Sequence, residues 1–293
     1  MTVTVFGSIN LDTVVQVDRI ARPGDTVSGR HVATGCGGKG ANQAVAASRA
    51  AVGNLGVRLI ASVGDDAQTA LLTSLLASED LQADLVEVAG TPSGTAFITV
   101  DKQGENAITV VPGANLDLTA SRIDGDPGTL LCQGEVPYAE SIRAASVRPR
   151  SGVAIINLAP VPQTADFVDQ AFQSFDIVVV NQHEASEIEA LAEDTVENLA
   201  HRTSTDVVVT LGRDGALVID RNGQSERISS PTIAPVDTTG AGDTFCGYLA
   251  AVLSEGSDLT AAATLACRAA AYACLGQGAQ SAIPRRAEIE GIY

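Results

Sequence analysis

The chain has 293 residues, a formal net charge of −17 at pH 7 and an apolar fraction of 45%, enough to bury a large core in one big α/β domain or two small ones. No run approaches the ~18 apolar residues of a membrane span and no segment reads as a signal peptide, so neither a membrane partner nor export is expected. The lack of a basic stripe argues against nucleic acid but leaves a nucleotide ligand open, because charges beyond a screening length of ~8 Å matter less than local groups.

Only two lysines occur, Lys39 and Lys102, against sixteen arginines. Five cysteines (Cys36, Cys132, Cys246, Cys267 and Cys274) form no C-x-x-C pair and read as free thiols of a reducing, cytoplasmic compartment.

Thr2 to Gly7 alternates apolar and polar residues, which predicts a first core strand ending in Gly7-Ser8-Ile9-Asn10-Leu11-Asp12. Parallel sheets hold ligands at such strand ends, so Asn10 and Asp12 are candidates for binding hydroxyls. Turn chemistry explains an Asn and an Asp there equally well. Val14, Val15 and Val17, then Thr26 to Val32, predict strands around the turn Arg22-Pro23-Gly24-Asp25.

Gly35-Cys36-Gly37-Gly38-Lys39-Gly40-Ala41-Asn42-Gln43 leads into a predicted helix from Ala44 to Val52. Its opening satisfies G-x-G-x-x-G, but the first strand's own turn lacks the glycines and no acid ends a second strand at the required distance. Lys39 is followed by Gly40 rather than Ser or Thr, which rules out a Walker loop. What remains is a glycine turn at a helix start carrying one Lys and one Asn.

Ile60 to Val63 predicts a strand before Gly64-Asp65-Asp66, and Thr69 to Leu76 a helix. Gly94 to Val100 and Asn106 to Val111 predict a hairpin across Asp101-Lys102-Gln103-Gly104, either in a separate sheet or at an edge of the main one. Leu130 to Gln133, Ala154 to Asn157, Ile177 to Val180 and Val207 to Thr210 are short apolar strands that run into polar or glycine residues. Strands alternating with helices predict an α/β fold: a mostly parallel central sheet with helices on both faces and ligands at the strand ends. No linker divides the chain, so residues 1–293 read as a single domain.

The stretch Val236-Asp237-Thr238-Thr239-Gly240-Ala241-Gly242-Asp243-Thr244-Phe245 precedes an apolar helix pattern of Phe245, Leu249, Val252 and Leu253. Gly240, Ala241 and Gly242 thus occupy a helix start, whose amides attract anions. A carboxylate at Asp243 opposes an anion unless it removes a proton from an attacking hydroxyl, which suggests phosphoryl transfer. A glycine turn with an aspartate cap accounts for the same four residues.

Several motifs taken together resemble the PfkB family of carbohydrate and nucleoside kinases, in its ribokinase-like branch. They are Gly7-Ser8-Ile9-Asn10 with Asp12, Pro23-Gly24-Asp25-Thr26, Gly37 to Ala46, and Asp237 to Gly247, in the family's order from residue 6 to about 284. Tyr248 departs from the pattern, which usually has a small residue there. The resemblance implies a ribokinase-like fold with a small β-sheet lid from residues of about 12–34 and 94–111, and a homodimer formed through that lid.

It also implies roles. Asp243 would be the base, with the Gly240-Ala241-Gly242 amides as anion hole. Sugar contacts map onto Asn10, Leu11, Asp12, Gly38, Lys39, Gly40, Ala41, Asn42 and Glu135. Nucleotide contacts map onto Asn181, Gly242, the turn of Thr210, Leu211, Gly212, Arg213, Asp214 and Gly215, and Cys267 near the adenine. Glu184 would arrange Mg2+ through water. An activating K+ would take Asp237, Thr239, Ala273, Gly276 and Gly278, with Ala282 where the family has a serine and Ser281 one place early.

The activity implied is ATP-dependent phosphorylation of the 5-hydroxyl of D-ribose. Deoxyribose, another sugar or a nucleoside is the nearest alternative, and a silent sugar or nucleotide sensor a more distant one. Intact glycines and Asp243 count against the sensor.

Overall fold

The structure, a computed structural model, describes residues 1–147 and 152–290. In chain order its elements are β1 (Thr2–Phe6), β2 (Asn10–Val17), β3 (Gly29–Gly37), α1 (Lys39–Ala50), β4 (Gly56–Gly64), α2 (Ala67–Leu76), β5 (Gln82–Val88), β6 (Gly94–Val100), β7 (Asn106–Val111), β8 (Thr129–Gln133), α3 (Tyr138–Val147), β9 (Ala154–Asn157), α4 (Ala165–Ser174), β10 (Ile177–Asn181), α5 (Gln182–Ala192), α6 (Val196–Thr203), β11 (Asp206–Thr210), β12 (Ala216–Ile219), β13 (Ser225–Ile228), α7 (Ala241–Ser254), α8 (Leu259–Ala273) and α9 (Arg286–Glu290).

The main sheet has the order β13-β12-β11-β10-β9-β8-β1-β4-β5. It is parallel from β5 to β11, and β12 and β13 add antiparallel at one edge. Neighbouring residues on a strand face opposite sides, and here both sides are apolar. Val3 and Val5, with Leu131, Ile155, Val179 and Val208, join one core with Val45 of α1, Leu249 of α7 and Ala266 of α8. Leu130, Cys132, Ile156, Val178, Val180 and Val207 join the other, with Ala144 of α3, Phe172 of α4, Ile188 of α5 and Leu199 of α6. Helices therefore cover both faces, as continuous apolar strands require. Phe172 is fully buried; truncating it to Ala would cost roughly 3–5 kcal/mol.

A second sheet, β3-β2-β6-β7, stands apart from the first, so the 94–111 hairpin is not an edge of the main sheet. Asn10 and Asp12 lie on β2 itself, paired with Gly37 and Gly35 of β3 and with Gly94 and Ala96 of β6, not in a turn after β1. β3 starts at Gly29, leaving 26–28 outside any strand. The Asp25 carboxylate accepts from the Arg22 amide at 3.0 Å and pairs with Arg19, closing a loop first.

α1 begins at Lys39, five residues before the periodicity predicts. Its first amides are capped from far along the chain. Lys39 N–H donates to Glu135 Oε2 at 2.9 Å and Gly40 N–H to Ser8 Oγ at 3.2 Å, while Ser8 Oγ donates to Glu135 Oε2 at 2.5 Å. No local residue signals such a cap. The sequence pattern also misses β5, β12 and β13. β12 and β13 are four residues each, and β5 is half-exposed along its length, so neither length nor alternation marks them.

Candidate active site

β1 has β4 on one side and β8 on the other, so the strand order diverges there and a crevice opens beyond the carboxyl ends. The residues that follow or end β9, β10 and β11 face it, and the start of α7 closes it. The resulting cleft is lined by Lys39, Asn157, Asn181, Glu184, Thr210, Gly240, Gly242, Asp243 and Cys246, among others.

Gly240 caps α7 with φ +76, and a Cβ there would lie 2.9 Å from Ala279 Cα, so conformation and space both require glycine. A Cβ at Gly242 would meet nothing within 4 Å. Ala241 N–H leans on the Thr238 carbonyl at 3.3 Å. Gly242 and Asp243 lie in the first turn of α7, where amides have no partner within the helix.

Asp243 is 8% exposed. Asn42 Nδ2 donates to its Oδ2 at 2.9 Å and Gln43 Nε2 to its Oδ1 at 3.0 Å. Burial raises its pKa, opposed by Lys39 and by the two amide donors. The carboxylate is therefore desolvated yet held in place, as a group that must accept a proton requires.

Asp12 faces the same region. Burial, then the Glu135 and Asp243 carboxylates, push it up to about 7. Burial pulls Lys39 down, but Asp243, Glu135 and Glu184 outweigh it and leave the ammonium raised. Asn10 is fixed by Asn115, whose Nδ2 donates to Asn10 Oδ1 at 2.8 Å and to the Ile9 carbonyl at 3.1 Å, and whose Oδ1 accepts from Ile9 N–H at 2.9 Å. Leu11 and Ala41 are core side chains that can offer a ligand only their backbone. Gly38 and Gly40 pack against the backbone of Ile9 and Ser8.

On the other side of the cleft, Asn181 and Glu184 form a reciprocal cap at the start of α5. Asn181 Oδ1 accepts from Glu184 N–H at 2.9 Å and Glu184 Oε2 from Asn181 N–H at 2.7 Å. Glu184 nevertheless lines the cleft, and burial raises its pKa against the pull of the Asn181 amide and Lys39. Thr210 ends β11 beside it. Leu211 to Gly215 form a tight turn with Gly212, Arg213 and Asp214 exposed. Cys267 is packed inside α8, away from the cleft lining; Cys246, one turn along α7 from Asp243, is the cysteine that borders it.

Behind α7, Asp237 holds the 276–284 loop. Its Oδ2 accepts from Gly278 N–H at 2.9 Å, and its Oδ1 from Thr239 N–H at 2.9 Å and Thr239 Oγ1 at 2.6 Å. Despite some burial these donors keep the carboxyl below its usual range. A Cβ at Gly276 would lie 3.0 Å from Ala282 Cβ, and Ser281 Oγ donates to the Gln277 carbonyl at 2.6 Å. Ala273, the last residue of α8, shares this corner: its carbonyl accepts from Gly276 N–H at 3.2 Å. Two further side chains tie the loop down. Arg49 Nη1 donates to the Gln280 and Ile283 carbonyls at 2.8 and 2.7 Å, and Tyr248 Oη to the Pro284 carbonyl at 2.8 Å. The bulk at position 248 thus has a partner in the loop.

Sequence reasoning missed Gln43, Gln133, Asn115, Asn157 and Cys246. Gln133 and Asn157 each end an apolar strand with a side-chain amide, a usable signal. Gln43 lies inside the second glycine motif with no local mark of its role. Among the described residues no group of three or more His, Cys, Asp or Glu could cage a metal.

The fold and site define a phosphotransferase of the α/β class, with a glycine-rich helix start, a buried carboxylate and a separate small sheet at one end of a crevice. The pfkB family carbohydrate kinase profile matches residues 2–286, and the chain belongs to that family. A ribokinase of Haemophilus influenzae is 34% identical, over 98% of this chain and 96% of its own. A deoxyribokinase of Salmonella typhi is 31% identical, over 97% and 96%. A solved ribokinase of Thermotoga maritima superposes with a TM-score of 0.88 at 33% identity, covering 99% of this chain and 98% of its own.

Proposed function

We propose that the chain is an ATP-dependent sugar kinase that transfers the γ-phosphoryl group to the 5-hydroxyl of D-ribose. The observation that carries this reading is the Asp243 carboxylate, buried and held by Asn42 and Gln43 beside the open Gly242 and Asp243 amides. Asp243 takes the proton of the sugar hydroxyl as its oxygen attacks the γ-phosphorus. The bond to the β-phosphate oxygen breaks, and ADP leaves with the electron pair. The helix-start amides meet the charge that grows on the transferring group. Asp12 and Asn10 grip sugar hydroxyls, and an ionised Asp12 can accept from two of them at once. Deoxyribose is the second reading, since a deoxyribokinase is 31% identical over nearly the whole chain.

Glu135, Glu184 and Asp243 set three carboxylates around Lys39, and Asp12 adds a fourth acidic group beside Glu135 and Asp243, a poor host for a bare polyphosphate. Mg·ATP fits better. Mg2+ would neutralise the phosphates, and Glu184, which lines the cleft, is the residue that would hold it through water, since among the described residues no acidic or His/Cys cluster could cage it. Asp237 and the carbonyls of Thr239, Ala273, Gly276 and Gly278 are oxygen donors of the kind that suits K+.

The small sheet reads as a lid, with the chain as a single domain. By strand register Val32, Phe97 and Val111 share one face and Ile108 and Val110 the other, all exposed. Apolar surface on both sides of a thin sheet favours pairing with the lid of a second copy. The five cysteines are all buried and unpaired, which suits the cytoplasm.

Ribose, deoxyribose, other sugars and nucleosides assayed with Mg·ATP test the activity, with NMR of the product to place the ester. A preference for nucleosides, or an ester at another carbon, overturns the ribose reading. Light scattering on the parent and on Phe97→Asp tests the dimer; a monomeric parent overturns it.

A further inference from the structure

Gln43 is a fully buried polar residue of the second glycine motif with every atom of its amide engaged. Its Nε2 has two hydrogens and two acceptors: Asp243 Oδ1 at 3.0 Å and Asn157 Oδ1 at 3.1 Å. Its Oε1 accepts from Gln133 Nε2 at 2.8 Å. Asn157 Nδ2 in turn donates to the Val179 carbonyl at 3.2 Å.

The direction of this chain is fixed at both ends. A carboxylate and a backbone carbonyl can only accept, so Asn157 must present its oxygen and Gln43 its nitrogen. Flipping either amide would set oxygen against oxygen. α7 comes close enough for the contact because residue 247 is glycine; a Cβ there would lie 2.4 Å from the Gln43 carbonyl and 2.5 Å from Ala46 Cβ.

We propose that Gln43 is a positioning residue for Asp243, locked by Gln133 and Asn157 so that the carboxylate keeps one orientation and leaves its outer lone pairs to the sugar hydroxyl. The proposal rests on the reading of Asp243 as the base. Asn42 holds Oδ2 and keeps a little exposure, whereas Gln43 and Gln133 are wholly buried, outside the cleft lining. The titratable groups acting on Asp243 are Lys39 of α1, Glu135 after β8, Asp12 of β2 and Cys246 of its own helix. None of them is altered by changing Gln43.

Gln43→Met keeps length and apolar bulk but has no donor. Its kcat falls by about 10- to 100-fold, the effect of one hydrogen bond to a charged group. The acid limb of its kcat–pH profile moves to higher pH, because the carboxylate has lost a donor. KM for sugar and for Mg·ATP stays within about threefold. Gln133→Met, which unlocks Gln43 without touching Asp243, shifts the limb the same way by less.

A folded Gln43→Met enzyme with the parent's kcat and an unmoved limb overturns the proposal. So does a loss confined to melting temperature and KM. If Gln43→Met does not fold, Gln133→Met decides: a shifted limb sustains the role and a parent-like profile overturns it. Asp243→Asn, run in parallel, separates the two ideas. Turnover near the parent's in that variant removes the base reading itself, whereas an inactive Asp243→Asn beside a parent-like Gln43→Met removes only the positioning role.

Discussion

Asn42 Nδ2 lies 2.9 Å from Asp243 Oδ2, so two glycine motifs 201 residues apart meet side chain to side chain. One motif starts α1 and the other starts α7. Their contact joins the proposed sugar side of the crevice to the proposed anion-binding side, and the proposed base stands at the junction. Separating substrate recognition from proton transfer is therefore a matter of choosing which residue at that junction to change.

Asp243→Asn keeps the shape and the contact with Asn42 but cannot take a proton. Turnover should fall at least ~100-fold, the low end for loss of a general base, while calorimetry still detects binding of sugar and of Mg·ATP. Turnover close to the parent's would show that the proton leaves by another route.

Asp12 gives the pH dependence. Burial, Glu135 and Asp243 push it up to about 7, so below that pH it carries a proton and cannot accept from two hydroxyls. Sugar KM should rise roughly tenfold per unit as pH falls below 7, with KM for Mg·ATP little changed. Asp12→Asn should bind sugar weakly at every pH and lose this dependence. The unfolded carboxyl ionises near 3.8, so the folded state holds the proton longer between there and about 7. Asp12's contribution to the stability of the ligand-free protein should accordingly fall as pH rises through that window, and Asp12→Asn should lack that contribution while Asp243 and Glu184, also raised by burial, keep theirs. A sugar KM flat from pH 8 to 6 in the parent would remove Asp12 from the sugar site.

Gly242 separates folding from function. A methyl there meets no protein atom within 4 Å, and alanine is favoured over glycine in a helix by about 1 kcal/mol. Gly242→Ala should melt at or above the parent's temperature. Gly242 lines the cleft, so if the phosphoryl group meets the helix start there, the methyl should lower kcat/KM for Mg·ATP by about 10-fold or more, equivalent to losing one hydrogen bond to charge. Full activity would mean the anion sits elsewhere.

The central parallel strands were legible because apolar runs ending in polar residues say where the sheet is and which end holds ligands, whereas β4 starts at Gly56, ahead of the expected Ile60, and the parallel strand β5 was not seen. β8 to β11 lie within a residue of the expected positions, and the 94–111 hairpin agrees to the residue. The start of α1 was not legible, since its caps, Glu135 and Ser8, come from other strands. Asn10 and Asp12 read as turn residues because the chain leaves β1 and enters the second sheet within three residues, too few for a period to register. The candidate site was legible where motifs carried it and silent at Gln43, Gln133 and Asn157, whose pairing exists only after four segments have packed together.

The 276–284 loop is the proposed site of K+. Asp237 anchors it through Gly278 and Thr239, and Gly240 packs against Ala279 of the same loop, so its order passes directly to the start of α7. Ala282 faces Gly276 with a methyl, which cannot coordinate an ion. The neighbouring hydroxyl of Ser281 is turned to the Gln277 carbonyl at 2.6 Å. Arg49 and Tyr248 hold the loop's far end without any ion. K+ should therefore still activate, through Asp237 and the backbone carbonyls, but with a higher half-activating concentration than in Ala282→Ser, where a hydroxyl completes the set. Activity and melting temperature are titrated with K+ against a bulky-cation background for both proteins. Ala282→Ser should need less K+ on both readouts. Full activity and an unshifted melting temperature without K+ in the parent would show that the protein side chains alone order the loop.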